Sequence, residues 1–253
     1  MKRLAFVVVL LMFSPLQSHA QALCGDFDDD GQVTVSDAFR HLRFAVGLGE
    51  SLMCPGGGLP RTGQTTVYGA GSDGDVQAGA LLSYTDNGDG TITDDNTGLM
   101  WEKKDDSGGI HDKDNTYLWS AGVVSSSIGA INMDGTIATT FLSTLNDVAG
   151  GGANCFAGHC DWRVSNVREL QTIVDYEAFS PTVDPAFHRP TTCSGCADVT
   201  LTTCSCTMWS TYWSSTSTAG SPHTAWLVSF LEGYVFLDFK TRGRHVRAVR
   251  GGL

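Results

Sequence analysis

Residues 155–176 read CFAGHCDWRVSNVRELQTIVDY, and their order decides how this chain folds. Cys155 and Cys160 are separated by four residues, close enough for a local disulfide if the chain is oxidised. Asp161 to Val164 then read as a short strand. Ser165 and Asn166 are both good helix N-caps, and Glu169, three residues after Asn166, completes a variant of the capping box. Val167, Leu170, Ile173 and Val174 fall on one stripe of the helix that follows, with Arg168, Glu169, Gln171 and Asp175 on the other side. The segment therefore predicts strand, cap and core helix in one run. His159, between the cysteines, reads as an ordinary loop residue.

Upstream, Lys2 and Arg3 precede a compact apolar run, Leu4–Phe13, too short to span a bilayer. Small residues at 18–22 offer cleavage sites, so residues 1–22 are expected to be a signal peptide and the protein to be secreted, to the periplasm, cell surface or medium. The whole chain carries a formal charge of −11, and losing Lys2 and Arg3 makes it more acidic. That balance argues against nucleic acid as a partner. No second apolar run is long enough to be a transmembrane segment. Eight cysteines, an even number in an exported chain, argue for disulfides.

A small unit is expected over residues 23–54. Within it, DFDDDGQVTVSD runs from Asp26 to Asp37. Asp26, Asp28 and Asp30 take positions 1, 3 and 5 of a calcium loop, and Gly31 takes the sharp turn at 6. Gln32 offers its carbonyl at 7, and Asp37 closes the loop at 12. Ca2+ needs hard oxygen ligands around one centre, and alternate carboxylates in a tight loop supply them. A helical stripe follows over Ser36–Val46. The loop resembles one repeat of a dockerin, whose loops close with Asp where an EF-hand uses Glu. A dockerin has two repeats and this chain has one, so the resemblance carries over the calcium site but not the pairing with a scaffold protein. A Cys24–Cys54 bridge would staple so small a unit.

Residues 55–61, PGGGLPR, read as a linker. Beyond it the pattern is mixed. Tyr84–Thr93 reads as a hairpin and Gly98–Glu102 as a strand. Residues 103–135 form a long polar stretch that isolates Tyr117 and Trp119. Ile137, Phe141, Leu145 and Val148 mark a helix, ended by Gly150–Gly152. Cys193, Cys196, Cys204 and Cys206 lie in a Ser/Thr-rich insertion. Two bridges are expected there rather than zinc, and three pairings remain open. The last third is β: strands over Tyr212–Thr216, around Trp226–Phe230, over Tyr234–Lys240 and over His245–Arg250, with Glu232-Gly233 as a turn.

Taken together, TGQTTVY, DGDVQAGA, YTDNGDGTITDDNTGLMWEK, FLSTLN, CFAGHCDWRV, REL, IVDY, YWSST, AWLVSF and VRAVRGG resemble the Lcl C-terminal domain family, named for the Legionella collagen-like adhesin. These pieces cover roughly residues 62–253. Val164-Ser165 replaces the Leu-Pro that often follows the family's Trp-Arg, and the cysteine-rich insertion is atypical of it. The resemblance implies an α+β, C-type-lectin-like domain, two helices on a small antiparallel sheet, in which the two ends of the domain meet in adjacent strands. It also implies adhesion: the named member binds sulfated glycosaminoglycans. Related formylglycine-generating enzymes use two cysteines near the C-terminus, and this chain has none after Cys206.

No GxSxG, HExxH or P-loop occurs. A carboxylate pair for glycoside hydrolysis needs no motif and stays open. The expectation is a binding or adhesion module, not an enzyme, whose partner is an extracellular glycan or surface protein. The alternatives are a structural component of a cell-surface assembly, tethered to a scaffold protein through the calcium unit, and an accessory of a carbohydrate-active enzyme. Trp101, Trp162, Trp213 and Trp226 read as core. Trp119 and Trp209 lie outside regular elements and are candidate ligand contacts. Lys240, Arg242 and Arg244 fall at alternate positions, one face of an extended chain, followed by His245 and Arg247. They are candidates for an anionic sugar. For the calcium loop, titration calorimetry on the full chain is expected to give a single site with Kd roughly 10⁻⁴ to 10⁻³ M or tighter. Asp30→Ala should remove that heat, and two equal sites in the wild type would contradict the assignment.

Overall fold

The computed structural model describes residues 59–122 and 132–251. The calcium loop, with Asp26, Asp28, Asp30, Gln32 and Asp37, and the pair Cys24 and Cys54 lie outside the described residues. The described part is mixed α and β, with mostly antiparallel sheets and short helices.

The main sheet has five strands: β1 (Tyr84–Asp86), β2 (Thr91–Asp94), β3 (Met100–Glu102), β5 (Arg163–Val164) and β10 (Ala248–Arg250). Their spatial order is β1-β2-β3-β10-β5, antiparallel throughout. The last strand of the domain thus sits between β3 and β5. A second sheet pairs β6 (Thr211–Thr218), β7 (Ser221–Ser229) and β8 (Val235–Phe239) in chain order. A two-stranded ladder joins β4 (Tyr117–Leu118) to β9 (Gly243–Arg244), so the stretch read as one long polar loop contains a strand.

Register explains the burial. Ile92 lies opposite Trp101, and Trp101 opposite Val249, so these side chains share one face of the main sheet. They pack with Leu170, Ile173, Val174, Phe187, Tyr212, Val228 and Phe230 in one core. The other face, through Val164 and Ala248, packs with Ile137, Phe141, Leu145, Trp162, Trp213 and Leu227 in a second core. Because adjacent strand residues face opposite cores, both need to be apolar, and the simple alternation of a half-exposed sheet is lost. Trp101, Trp162 and Trp213 are core, as their positions predict.

Three helical segments matter. Asn166 caps α3 (Val167–Thr172): its Oδ1 accepts from the amides of Arg168 and Glu169, both at 2.9 Å, and Glu169 accepts from the Asn166 amide at 2.7 Å. Arg163 donates two 2.8 Å bonds to the same Glu169, which ties β5 to the helix start. The helix at 137 begins as a π-helical segment, Ile137–Leu142, and continues as α2 (Ser143–Leu145). Ser143 and Thr144 donate their hydroxyls back to carbonyls a turn earlier, a habit that loosens helical ladders. Ile137, Phe141 and Leu145 are buried as expected, but the helix is over before Val148, which is exposed. Asn146 ends it by bonding the Trp162 backbone in both directions. The remaining short helices are α1 (Asp73–Val76), α4 (Pro190–Cys193) and a 3-10 turn, Phe156–Gly158.

Disulfides join Cys155 to Cys160, Cys193 to Cys206 and Cys196 to Cys204. The last two are nested, which selects one of the three pairings, and their four half-cystines are a small core of their own. No described helix is long and apolar enough to cross a membrane.

Where the insertion meets the main sheet, charges are buried. Glu102, at the end of β3, is fully enclosed. It accepts from Lys104 Nζ at 2.9 Å, pairs with His111 Nδ1 at 2.8 Å, and accepts from the Ala248 amide at 3.0 Å. Burial pushes the Glu102 carboxyl up, but Lys104, His111 and the Ala248 amide together outweigh it and hold it below the usual carboxylate range. Arg247 donates to the carbonyls of Glu102 and Cys206 at 2.7 and 2.9 Å and to Thr207 Oγ1 at 2.7 Å. Lys103 donates to Asp86 at 2.6 Å and to the Leu201 carbonyl at 2.9 Å. Removing one member leaves a buried charge uncompensated. Glu102→Gln is therefore expected to destabilise the domain by about 3–5 kcal/mol in urea unfolding, and Glu102→Gln with Lys104→Met to recover much of that loss. Equal stability of Glu102→Gln and wild type would show that the cluster does not hold the fold.

Candidate binding groove

Alongside α3 runs a groove of ≈ 590 Å³. One wall is the outer face of α3, with Val167, Arg168 and Gln171. Trp226 of β7, Val235 of β8 and Tyr176 also line the groove. So do Leu59–Thr62, and of these the linker reading placed Leu59–Arg61 outside the domain. They pack instead: Pro60 bridges Ala80, and Arg61 donates to the Gly79 carbonyl and to Gln77.

Each wall has a local cause. The cap at Asn166 starts α3 where it does, and buried Leu170, Ile173 and Val174 fix which side turns outward. Tyr176 is pinned by its hydroxyl, which donates to the Gly233 carbonyl at 2.9 Å, and by its amide, which donates to the Thr62 carbonyl at 2.7 Å. Gly233 has φ +80°, and a Cβ there would lie 2.7 Å from the Tyr176 ring, so the turn before β8 needs glycine. Burial pushes the Tyr176 phenol up, which keeps it a neutral donor at ordinary pH. Next to it, Glu177 accepts from the Thr66 hydroxyl and from the amides of Thr66 and Thr65 at 3.0 and 2.8 Å. These bonds hold its carboxyl down to about 2. The clasp they make is complete above the ordinary carboxylate range and is lost only as pH falls toward that value.

Trp226 is half-buried, not core. It faces Leu237 across the β7–β8 pair, and Thr224 faces Phe239, so exposed Leu237 and Phe239 share the strand face that carries Trp226. Arg168 and Gln171 are exposed, and neither side chain has an ion pair or hydrogen bond among the described residues. The groove thus offers two aromatic faces, a guanidinium and an amide.

The other sequence candidates scatter. Trp209 is 56 % exposed but does not line the groove. Trp119 is buried, its indole N–H donating to the Ser214 carbonyl at 3.0 Å. Lys240 is buried against it, with Nζ 3.7 Å from the ring centroid and 2.6 Å from Ser217 Oγ, and burial lowers its pKa. Arg242 and Arg244 both pair with Asp238, at 3.1 and 2.5 Å. His245 and Arg247 are buried. The period-two argument fails because β8 ends at Phe239 and the chain turns there, the Arg242 amide donating to the Phe239 carbonyl. Five cations close in sequence therefore make no common face. Sequence reasoning had placed Arg168 and Gln171 on the polar side of α3 and Trp226 in the core. The signal missed was that a polar helix face beside a large aromatic on a neighbouring strand makes a groove.

Carboxylate oxygens of Asp106, Asp112 and Asp114 also lie within 4.8 Å of one another. Lys113 is paired with two of them, Asp106 at 2.6 Å and Asp114 at 2.7 Å, so the cluster already contains a cation.

A model of the Lcl C-terminal domain family matches residues 90–250. The matched span includes α3, Trp226 and Val235, and leaves out Leu59–Thr62. No curated protein matches the chain. Because the cap orients the groove wall, Asn166→Ala is expected to lower stability by about 1 kcal/mol and to weaken amide protection over Val167–Thr172. Unchanged hydrogen exchange there would show that packing alone sets the helix.

Proposed function

Since this chain belongs to the Lcl C-terminal domain family, we propose that it is a secreted, non-enzymatic binding module of the cell surface or its surroundings, and that its ligand is an extracellular glycan held in the groove beside α3. The observation that carries this reading is the pairing of half-buried Trp226 and exposed Tyr176 with unengaged Arg168 and Gln171. Aromatic faces stack on the apolar faces of sugar rings, and a guanidinium and an amide read the hydroxyls at their edges. The groove lining contains no carboxylate, cysteine or histidine, which fits binding better than acid–base chemistry. A C-type-lectin-like assignment of the domain goes with this reading. It is supported by the helices packed on a small antiparallel sheet, but the expected meeting of the domain's two ends in adjacent strands is not found among the described residues: β10 lies between β3 and β5, and β1 lies at the sheet edge beside β2.

The calcium unit belongs to the same proposal. Asp26, Asp28, Asp30, the Gln32 carbonyl and Asp37 would hold one Ca2+ and keep that unit folded. The second reading is a component of a surface assembly held through this unit to a scaffold protein, for which a single dockerin-like repeat supplies the calcium site alone. A glycan array run beside a pull-down with and without calcium separates the two. In the first reading, wild type binds a defined set of glycans, Trp226→Ala weakens that binding at least ten-fold, and Trp209→Ala leaves it unchanged. Glycan binding equal in Trp226→Ala and wild type would remove the groove from the function.

A further inference from the structure

Among the described residues, lysines and arginines are almost all engaged. Lys103, Lys104, Lys113, Arg163, Arg242, Arg244 and Arg250 are in ion pairs. Arg61, Lys240 and Arg247 donate hydrogen bonds. Two remain with neither: Arg168, in the groove, and Arg189. In an acidic chain with many carboxylates, a guanidinium left without one is unusual, because five N–H donors then go unused. The Nε of Arg189 is buried with no acceptor among the described residues.

Arg189 lines a pocket of ≈ 270 Å³ beside the nested disulfides. The pocket shares no lining residue with the groove, and its lining has no carboxylate. The other polar groups lining it are His188, Thr191, Thr192 and Thr203. His188 Nδ1 accepts from the Thr207 amide at 3.2 Å, so in the neutral ring the proton is on Nε2 and that nitrogen is a donor. Burial, then Arg247 and Lys113, lowers the His188 pKa, so the ring is neutral at pH 7 and sits in a positive local field. Thr192 gives its hydroxyl to the Thr203 carbonyl. The hydroxyls of Thr191 and Thr203 have no partner among the described residues. Asp184 feels the charge of Arg189 but forms no ion pair with it. The lining therefore presents a fork of N–H groups, an imidazole N–H and two hydroxyls, with no acid to answer them.

We infer that this pocket is a second binding site, for an oxyanion, a carboxylate or sulfate group on a small molecule, with Arg189 as its main anchor. A planar guanidinium gives two parallel hydrogen bonds to such a group. The pocket is built from the cysteine-rich insertion and the turn before it, so it is additional to the groove and does not depend on the reading of the groove. The two nested disulfides hold its far wall: Cys193 follows Thr192, and Cys204 follows Thr203.

The test is NMR on the full exported chain, following the His188 ring and the Arg189 Nε–H. The probes are inorganic sulfate, glucuronate and glucose, the last two differing in one carboxylate. Saturable shifts at both residues are expected with sulfate or glucuronate, and none with glucose. Response to both anions means that the charge alone is read, and response to glucuronate only means that the ring adds contacts. Arg189→Gln should weaken the affinity at least ten-fold, while Arg168→Gln should leave these shifts unchanged. The inference is overturned if neither anion shifts the two residues, if glucose matches glucuronate, or if Arg189→Gln binds at wild-type strength. Should Arg189→Gln fail to fold, Thr191→Val takes its place, with a several-fold loss expected and wild-type affinity counting against the site.

Discussion

Glu102 is a carboxylate closed off from water at the end of a central strand, and the arrangement around it depends on its being answered. Desolvating an ion costs several kcal/mol, and that cost is offset only when partners are close and every oxygen is used. Here Lys104 and His111 share one oxygen, and the amide of Ala248 takes the other. The Ala248 bond fixes β10 against β3. Arg247, one residue earlier, reaches the opposite way and takes the carbonyls of Glu102 and Cys206. Three distant pieces of chain, β3, the approach to β10 and the end of the insertion, are thus held in one register by directional bonds. Apolar contact alone would not specify that register so narrowly.

The insertion uses the same anchor. It has little apolar surface apart from its half-cystines, and the Cys206 amide donates to the Lys104 carbonyl while Lys103 reaches the Leu201 carbonyl. Its cross-links keep the segment compact, and the buried lysines keep it on the sheet. That division of labour allows the insertion to carry a pocket of its own without disturbing the two cores. The groove depends on different bonds: the cap of α3, the Arg163–Glu169 pair and the Glu177 clasp on Thr65 and Thr66.

Charge placement connects the two sites. The chain is strongly acidic, yet most of its described cations are used internally, in pairs or under aromatic rings, as with Lys240 over Trp119. A buried cation–π contact of that kind is worth about 2 kcal/mol. Of the cationic segment 240–247, Lys240, His245 and Arg247 are part of the folded interior. The two arginines left over, Arg168 and Arg189, each stand in a concavity. Exposed single cations on a flat surface would mean little; unengaged guanidinium groups inside pockets lined with donors and rings mark where something outside the chain can bind.

Local pattern was enough for everything that is decided within a few residues. Asn166 and Glu169 are three apart, so the capping box and the start of α3 follow from spacing alone. The buried stripe at Leu170, Ile173 and Val174 and the short Cys155–Cys160 loop are equally local, and the same holds for the strands around Trp101, Tyr212 and Val228. What tertiary structure decided was direction. Whether Trp226 meets the core or the groove depends on how far α3 covers the face of β7, which no period in the sequence encodes. Trp119 looked isolated because its partners, Ser214 in β6 and Lys240 in the turn after β8, lie nearly a hundred residues or more away. Lys240, Arg242 and Arg244 alternate in sequence, but alternation places side chains on one face only while the strand continues, and here the chain turns at Phe239. The pairing of Cys193, Cys196, Cys204 and Cys206 was likewise settled only in three dimensions, where Cys193 meets Cys206 and Cys196 meets Cys204.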